Sequence, residues 1–80
     1  MKPKTVKPGV VEKIIKPVYP GLPEKAQIAV EGGDHLYREI RIDNELTDEH
    51  GKKVKLKENA QVDVVVEADK AATVPKEQTQ

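Results

Sequence analysis

The sequence predicts an all-β protein, a small five-stranded antiparallel barrel with a meander-like topology. Three observations lead to this prediction. Apolar and polar residues alternate at period two along most of the chain, as they do in half-buried strands. The apolar stretches are rich in β-branched Val and Ile. Short groups of Gly, Pro, Asn and Asp separate these stretches and favour turns. We therefore expect strands joined by tight connections, with no helix.

Each predicted element follows from its own residues. The first predicted strand lies within "GVVEKIIKPV" (9–18), and the other four, in chain order, are "KAQIAVE" (25–31), "LYREIRIDNEL" (36–46), "VKL" (54–56) and "AQVDVVVEA" (60–68). The connections are "YPGLPEK" (19–25), "GGDH" (32–35), "TDEHGKK" (47–53) and "KEN" (57–59). Pro17 ends the first strand, since proline cannot donate to a sheet ladder. Gly51 and Asn59 suit turn positions with a positive φ angle.

The folded domain is expected to span residues 9–68. Residues 1–8 are polar and proline-punctuated and predict a flexible N-terminal arm. Residues 69–80 have no apolar periodicity and predict a flexible C-terminal tail. A flat sheet of five short strands would leave both edges open, whereas curling into a barrel would protect them.

Composition limits the core and the chemistry. The chain has 80 residues, no Cys, no Trp and no Phe, so Val, Ile, Leu and Ala must form a thin core. Additional burial in a homo-oligomer is compatible with such a core. There is also no Ser, so the two commonest catalytic nucleophiles are missing. We expect neither an enzyme nor a bound cofactor.

Two turns join acidic residues to a histidine, "GGDH" and "TDEH". They lie at opposite ends of the third predicted strand, about 30 Å apart at the rise of an extended chain. One chain therefore does not bring them together as a single metal site. We interpret both as solvated turns and expect no metal.

The third predicted strand has the most informative pattern. Its outer face carries Tyr37 and Arg41 among acidic side chains, and Arg38 takes a position where the alternation calls for an apolar residue. The outer face is interpreted either as a solvated face or as a polar surface that binds a partner. Arg38 is expected at the rim of the barrel, with its head in water or with a β-bulge near Tyr37 shifting the phase. The predicted partner-binding residues are Tyr37, Arg38 and Arg41.

A local basic edge follows in "KKVKLK", with Lys52, Lys53, Lys55 and Lys57. Lysines on an edge discourage aggregation between strands, and contact with a phosphate backbone is the alternative. The chain has equal numbers of basic and acidic residues, 14 of each, and only two aromatic residues. The composition therefore does not favour nucleic acid as a partner.

The stretches "IRIDNEL" (40–46) and "VKLKENAQVDVVVEADKAATV" (54–74), with a "G-x-V" opening at residues 9–11, resemble MOP and TOBE modules. These are small β-barrels linked to molybdate and tungstate handling. The resemblance spans residues 9–74 and implies a barrel that binds a small oxyanion. The nearest ligand candidates in this chain are Asn44, Lys52 and Lys53. Glu67 stands where those modules commonly carry a lysine.

The first functional hypothesis is a non-enzymatic binding or structural module that contacts itself or another protein. Oxyanion binding is the alternative, and weak nucleic-acid binding is the second alternative. No apolar run approaches the ~20 residues of a membrane span, and no apolar signal-peptide core follows the charged start of the chain. We expect a cytoplasmic location and no membrane partner.

Overall fold

The computed structural model describes residues 2–32 and 37–76. The elements, in chain order, are β1 (Lys4–Ile15), β2 (Lys25–Glu31), β3 (Tyr37–Asp43), β4 (Leu46–Thr47), β5 (Lys53–Val54), β6 (Gln61–Glu67) and a turn of 3-10 helix (Lys70–Ala72). The prediction of an all-β chain built from antiparallel strands is confirmed in this part of the molecule.

The strands form a four-stranded sheet in the order β3-β2-β1-β6 and a separate hairpin of β4 with β5. β1, β2 and β3 follow the predicted meander. In the described residues the meander does not continue past β3, because β4 and β5 pair apart from this sheet and β6 pairs with β1. β3 and β6 are the two edges of the four-stranded sheet. Within the described residues no pairing joins these edges, so the closed barrel remains a prediction.

The N-terminal boundary also differs from the predicted one. β1 begins at Lys4, and residues 4–8 pair in register with residues 63–67 of β6. The backbone of Ala68 donates to the carbonyl oxygen of Pro3 at 3.1 Å and continues this ladder. The valine-rich β6 therefore takes its hydrogen-bond partner from a polar stretch whose composition is typical of a loose arm. Backbone hydrogen bonds form this pairing, and the side-chain pattern of residues 4–8 does not predict it.

The predicted third strand (36–46) is divided in the structure. β3 ends at Asp43, and the N–H of Glu45 turns back to the carbonyl oxygen of Asp43 at 2.9 Å. Leu46 then starts β4. The hairpin predicted at 47–53 is confirmed, with Gly51 at a φ of 81°.

β1 is shared between two neighbours that lie along different halves of it. Residues 9–15 pair with β2 and residues 4–10 pair with β6. A register shift between Val11 and Lys13 marks a β-bulge beside β2. The backbone of Val11 there bonds residues 59 and 60, accepting from Asn59 at 2.8 Å and donating to Ala60 at 2.9 Å. Asn59 has a φ of 68°, as predicted for this turn.

The core lies on one face of the sheet, here called the inner face. Its buried side chains are Val11, Ala26, Ile28 and Val30, and the partly buried side chains packed on them are Ile14, Ile40, Leu56, Ala60, Val62 and Val64. β2 is the most enclosed strand, since all five residues from 26 to 30 are buried. In the part of the chain that is described, we find no helix that is long and apolar enough to cross a membrane.

Gly9 of β1 lies where β2 and β6 both pair with this strand. Its position is opposite both Val30 of β2 and Val62 of β6. A Cβ atom at residue 9 would lie 2.9 Å from Cγ2 of Ile28 and 3.1 Å from the carbonyl oxygen of Ala29. The close approach of β2 therefore requires glycine here.

We predict that Gly9→Ala lowers the free energy of unfolding by about 1–3 kcal/mol, because the added methyl overpacks the inner face. Urea unfolding followed by circular dichroism measures this change. Lys7→Ala, an exposed change on the same strand, is the control and should stay within about 0.5 kcal/mol of the unmodified chain. Equal midpoints for the two variants would contradict the packing described for residue 9.

Candidate contact surface

β3 carries the three residues predicted to bind a partner, and it is an edge strand. Arg41 lies opposite Gln27 of β2, Arg38 opposite Val30 and Tyr37 opposite Glu31. The structure describes the backbone of Tyr37 in β3, and its side chain lies outside the described part. Arg38 and Arg41 are both exposed. The two arginines therefore reach solvent from the margin of the sheet.

A row of polar side chains crosses the outer face beside Arg41. Nε of Arg41 donates to Oε1 of Gln27 at 3.0 Å, and Nε2 of Gln27 donates to Oε1 of Glu12 at 3.1 Å. Gln27 is only 6% exposed, and a buried amide needs hydrogen-bond partners within the protein. Glu12 and Arg41 are those partners, and the amide in turn orients both of their side chains. We call Glu12, Gln27 and Arg41 the polar row. It spans β1, β2 and β3 and orients the guanidinium at the edge of the sheet.

Neither Gln27 nor Glu12 is among the residues that the sequence pattern singles out. Period two places Gln27 on the outer face, but only the register of β2 with β3 places it opposite Arg41. Glu12 reaches Gln27 from the bulged part of β1. A sequence search for polar residues in an otherwise buried strand could have found Gln27.

The alternation along β3 places Arg38 on the inner face, opposite Val30 of β2. The pairing of β2 with β3 is regular from residue 37 to residue 43, so the β-bulge suggested near Tyr37 does not lie in this stretch, and residues 33–36 are outside the described part. The described β-bulge lies in β1. Exposure of Arg38 agrees with the interpretation of a long side chain that reaches water at the margin of the sheet.

The backbone of β3 also has a defined orientation. The N–H of Asn44, the residue after the strand, donates to the carbonyl oxygen of Glu24 at 2.9 Å, on the β2 side. N–H and C=O groups alternate sides along a strand, so even-numbered residues of β3 bond β2. The odd-numbered residues 37, 39, 41 and 43 direct their backbone groups out of the sheet. Arg41 thus presents both a backbone edge and a guanidinium.

Asn44, an oxyanion candidate, has a structural position. It is 4% exposed, and its Oδ1 accepts from the N–H of Leu56 at 2.7 Å. Its Nδ2 donates to the carbonyl oxygen of Leu56 and to Oε1 of Glu24, both at 3.1 Å. These contacts hold residue 56 against the end of β3. They use the amide donors on protein acceptors, one of them a carboxylate, and so do not favour an anion at Asn44.

The neighbouring carboxylate of Glu24 is surrounded by cations. Nζ of Lys16 donates to Oε2 of Glu24 at 3.1 Å, and Nζ of Lys55 lies 3.4 Å from Oε1. The Lys16 hydrogen bond, helped by that of Asn44 and by the charges of Lys16 and Lys55, holds the pKa of Glu24 below its ordinary value of 4.5. Partial burial of the side chain opposes this lowering.

The remaining basic candidates are exposed or paired. Lys53 contacts Oγ1 of Thr47 at 3.0 Å and Oε2 of Glu45 at 3.4 Å. Lys52 and Lys57 are exposed. Because Lys53 and Lys55 each contact a carboxylate, the basic edge predicted at 52–57 is partly neutralised, which does not favour phosphate binding.

The acidic turn at 48–50 has a structural role. Oδ1 of Asp48 accepts from the backbone N–H groups of His50 and Lys52, both at 2.9 Å, which shapes the hairpin. Among residues 2–32 and 37–76 no group of three or more His, Cys, Asp or Glu side chains could hold a metal ion. Of the turn "GGDH" (32–35), residues 33–35 lie outside the described residues.

We predict that Glu24→Gln removes part of the acid sensitivity of the fold. The pKa of Glu24 is lowered in the folded state, so its carboxylate stabilises the fold above about pH 4.5, and this contribution is lost as pH falls through the lowered pKa. The variant should be less stable than the unmodified chain at pH 7, and the two should converge in acid. Urea midpoints measured from pH 7 down to pH 3 test this, with the exposed Glu58→Gln as control. A constant difference across that range would contradict the assignment.

Comparison with known proteins returned no matching family model, no matching curated protein and no matching solved structure. The resemblance to MOP and TOBE modules therefore stays a prediction.

Proposed function

We propose that this protein is a non-enzymatic binding module that acts through protein–protein contacts along β3. The observation that carries this proposal is that Arg41 is oriented by the polar row on an edge strand. Strand addition at an exposed edge is a common way to bind an extended segment, with main-chain hydrogen bonds for affinity and side chains for specificity.

The contact residues of this proposal are Tyr37, Arg38 and Arg41, which β3 brings to one edge. Arg41 adds a specific element to a general backbone interaction. A guanidinium has five N–H donors in a planar fork, of which the structure assigns Nε–H to Gln27. Fixing that nitrogen reduces the side-chain freedom that binding would otherwise remove. An extended partner with a carboxylate opposite residue 41 fits this arrangement best.

The predicted barrel is part of the same proposal. The four-stranded sheet has two edges, and a strand added at β3 would extend the sheet toward closure. The module is proposed to be non-enzymatic because a chain without Ser or Cys lacks the commonest nucleophiles.

We predict that Arg41→Ala weakens capture of the bound protein, whether another protein or a second copy, by about 30-fold, the effect of losing an interface arginine worth about 2 kcal/mol. The measurement is capture on the immobilised full chain, with bound proteins quantified by mass spectrometry. Arg41→Lys keeps the charge but loses the planar fork, and should give an intermediate loss.

The matched control is Lys57→Ala, which removes an exposed cation that is not on β3. It should capture the same proteins in the same yield as the unmodified chain. Thermal unfolding of each variant separates a lost contact from a lost fold, since Arg41→Ala also removes the donor to the buried Gln27. Folded Arg41→Ala protein that captures as much as Lys57→Ala would refute β3 as the contact strand.

A further inference from the structure

The second edge of the sheet, β6, has a backbone that matches β3. The N–H of Ala68 donates to Pro3 at 3.1 Å, and the carbonyl oxygen of Ala60 accepts from Val11 at 2.9 Å, both on the β1 side. Even-numbered residues of β6 therefore bond β1, and the odd-numbered residues 61, 63, 65 and 67 direct their backbone groups outward. Both open edges thus present odd-numbered residues.

Apart from Arg38 of β3, the inner-face residues of both edge strands are apolar. One apolar cavity of about 150 Å³ is lined by side chains from both edge strands and from the segment between them. Its lining residues include Ile40 and Ile42 of β3, Val62 and Val64 of β6, and Leu46 and Leu56. Apolar side chains of both edge strands therefore border one space on the inner face that the chain does not fill. Val65 and Val66 of β6 are more than half exposed.

We infer that the strand bound by β3 is β6 of a second copy of this chain. This inference rests on the proposed function, because it names the partner of the β3 edge. Within the sheet β3 runs parallel to β1 and antiparallel to β6. β6 of one copy can therefore add antiparallel to β3 of the next while the inner faces of both copies stay on the same side.

Side-chain chemistry selects one register for this pairing. Placing Arg41 opposite Asp63 pairs all seven residues of β3 with all seven of β6. It sets Ile40 opposite Val64 and Ile42 opposite Val62 on the inner face. It also sets odd-numbered residues opposite one another, as the outward backbone groups require.

The neighbouring registers of the same parity are worse. Sliding β6 by two residues in one direction places Glu39 opposite Asp63. Sliding it by two in the other direction places Glu39 opposite Glu67 and Asp43 opposite Asp63. Like charges directly opposed across a strand pair are destabilising. A slide by one residue would instead turn the apolar face outward.

Charge also favours the register with Arg41 opposite Asp63. Asp63 is exposed and forms no ion pair within residues 2–32 and 37–76. Arg41 is already oriented on the outer face by Gln27 at 3.0 Å, the face on which Asp63 also lies. An opposite-charge cross-strand pair of this kind contributes to both affinity and register.

The geometry of this register closes with two copies. Across the sheet Arg38 lies opposite Val30, Val30 opposite Gly9, and Gly9 opposite Val62. In the inferred register Val62 lies opposite Ile42 of the second copy. The line of directly opposite residues therefore starts at residue 38 in β3 of one copy and reaches residue 42 in β3 of the next, a displacement of four residues. The second interface repeats this displacement of four residues. Eight strands with a total displacement of about eight residues match a closed barrel, such as the (β/α)₈ barrel.

The head-to-tail contact is therefore a ring of two chains and not an open filament. The barrel that the sequence predicts within one chain is completed between two chains. The two β3–β6 contacts remove all four edges of the separate sheets from solvent. Burial of the apolar inner face around the 150 Å³ cavity supplies the additional core that a short chain without Phe or Trp lacks.

Light scattering coupled to size-exclusion chromatography tests this with the full chain across a dilution series. We expect a species of about twice the 8.9 kDa chain mass. Arg41→Asp and Asp63→Arg should each weaken it by roughly tenfold per interface, hence about a hundredfold for two interfaces. An equimolar mixture of the two variants should restore the pair, since every contact then joins opposite charges. Lys57→Asp and Glu58→Arg are the charge-matched controls and should leave the mass unchanged.

Amide hydrogen exchange gives an independent readout that does not depend on a variant folding. As the unmodified chain is concentrated, the outward amides of Glu39, Arg41, Asp63 and Val65 should become protected. The amides of Ile40 and Val64, which already bond within the sheet, should be protected at every concentration.

The outcomes separate this inference from the proposed function. A chain that is monomeric throughout the dilution series overturns the inference. If that monomer still captures another protein in an Arg41-dependent way, the proposed function stands. If its capture does not depend on Arg41, both fail. A pair weakened by only one of the two charge reversals, or an assembly of three or more copies, also overturns the two-chain barrel.

Discussion

The structure depends on β1 pairing with two strands at once. Its C-terminal half pairs with β2 and its N-terminal half pairs with β6, and the two strand pairings overlap at Gly9 and Val10. This stagger brings the last strand of the domain beside the first and leaves β3 at the other edge. The absence of a side chain at Gly9 lets β2 approach closely enough for Ile28 to pack there. The sheet order and the position of both open edges follow from this arrangement.

Two sets of polar contacts stabilise the ends of that sheet. On the outer face the polar row joins β1, β2 and β3 through the buried amide of Gln27. At the end of β3 the buried amide of Asn44 holds Leu56 and Glu24, and lysines surround the carboxylate. Buried amides of this kind are stable only when their donors and acceptors are matched, so both sites specify one arrangement of the chain. The first orients Arg41 at an edge, and the second directs the chain from β3 toward the core.

The same physical features support the proposed function and the inferred pairing. A sheet with two open edges and an incompletely filled apolar face is a structure that favours another strand. The outward backbone groups of β3 and β6 share the same parity, and their side chains are complementary in charge and size in one register. The inferred self-association would cover the edges and enlarge the core in one step.

The sequence by itself determined the class of the fold, most strand positions and the turns at Gly51 and Asn59. These are local properties, since period-two alternation and positive φ angles depend on the identities of adjacent residues. It also singled out Arg41, although not Gln27 and Glu12, which orient it. Only the tertiary structure decided that residues 4–8 join the sheet, that β6 pairs with β1, and that the buried amide of Asn44 bonds Glu24 and Leu56 at the end of β3. Those features depend on backbone hydrogen bonds between segments far apart in the chain, and side-chain periodicity carries no information about which strands become neighbours.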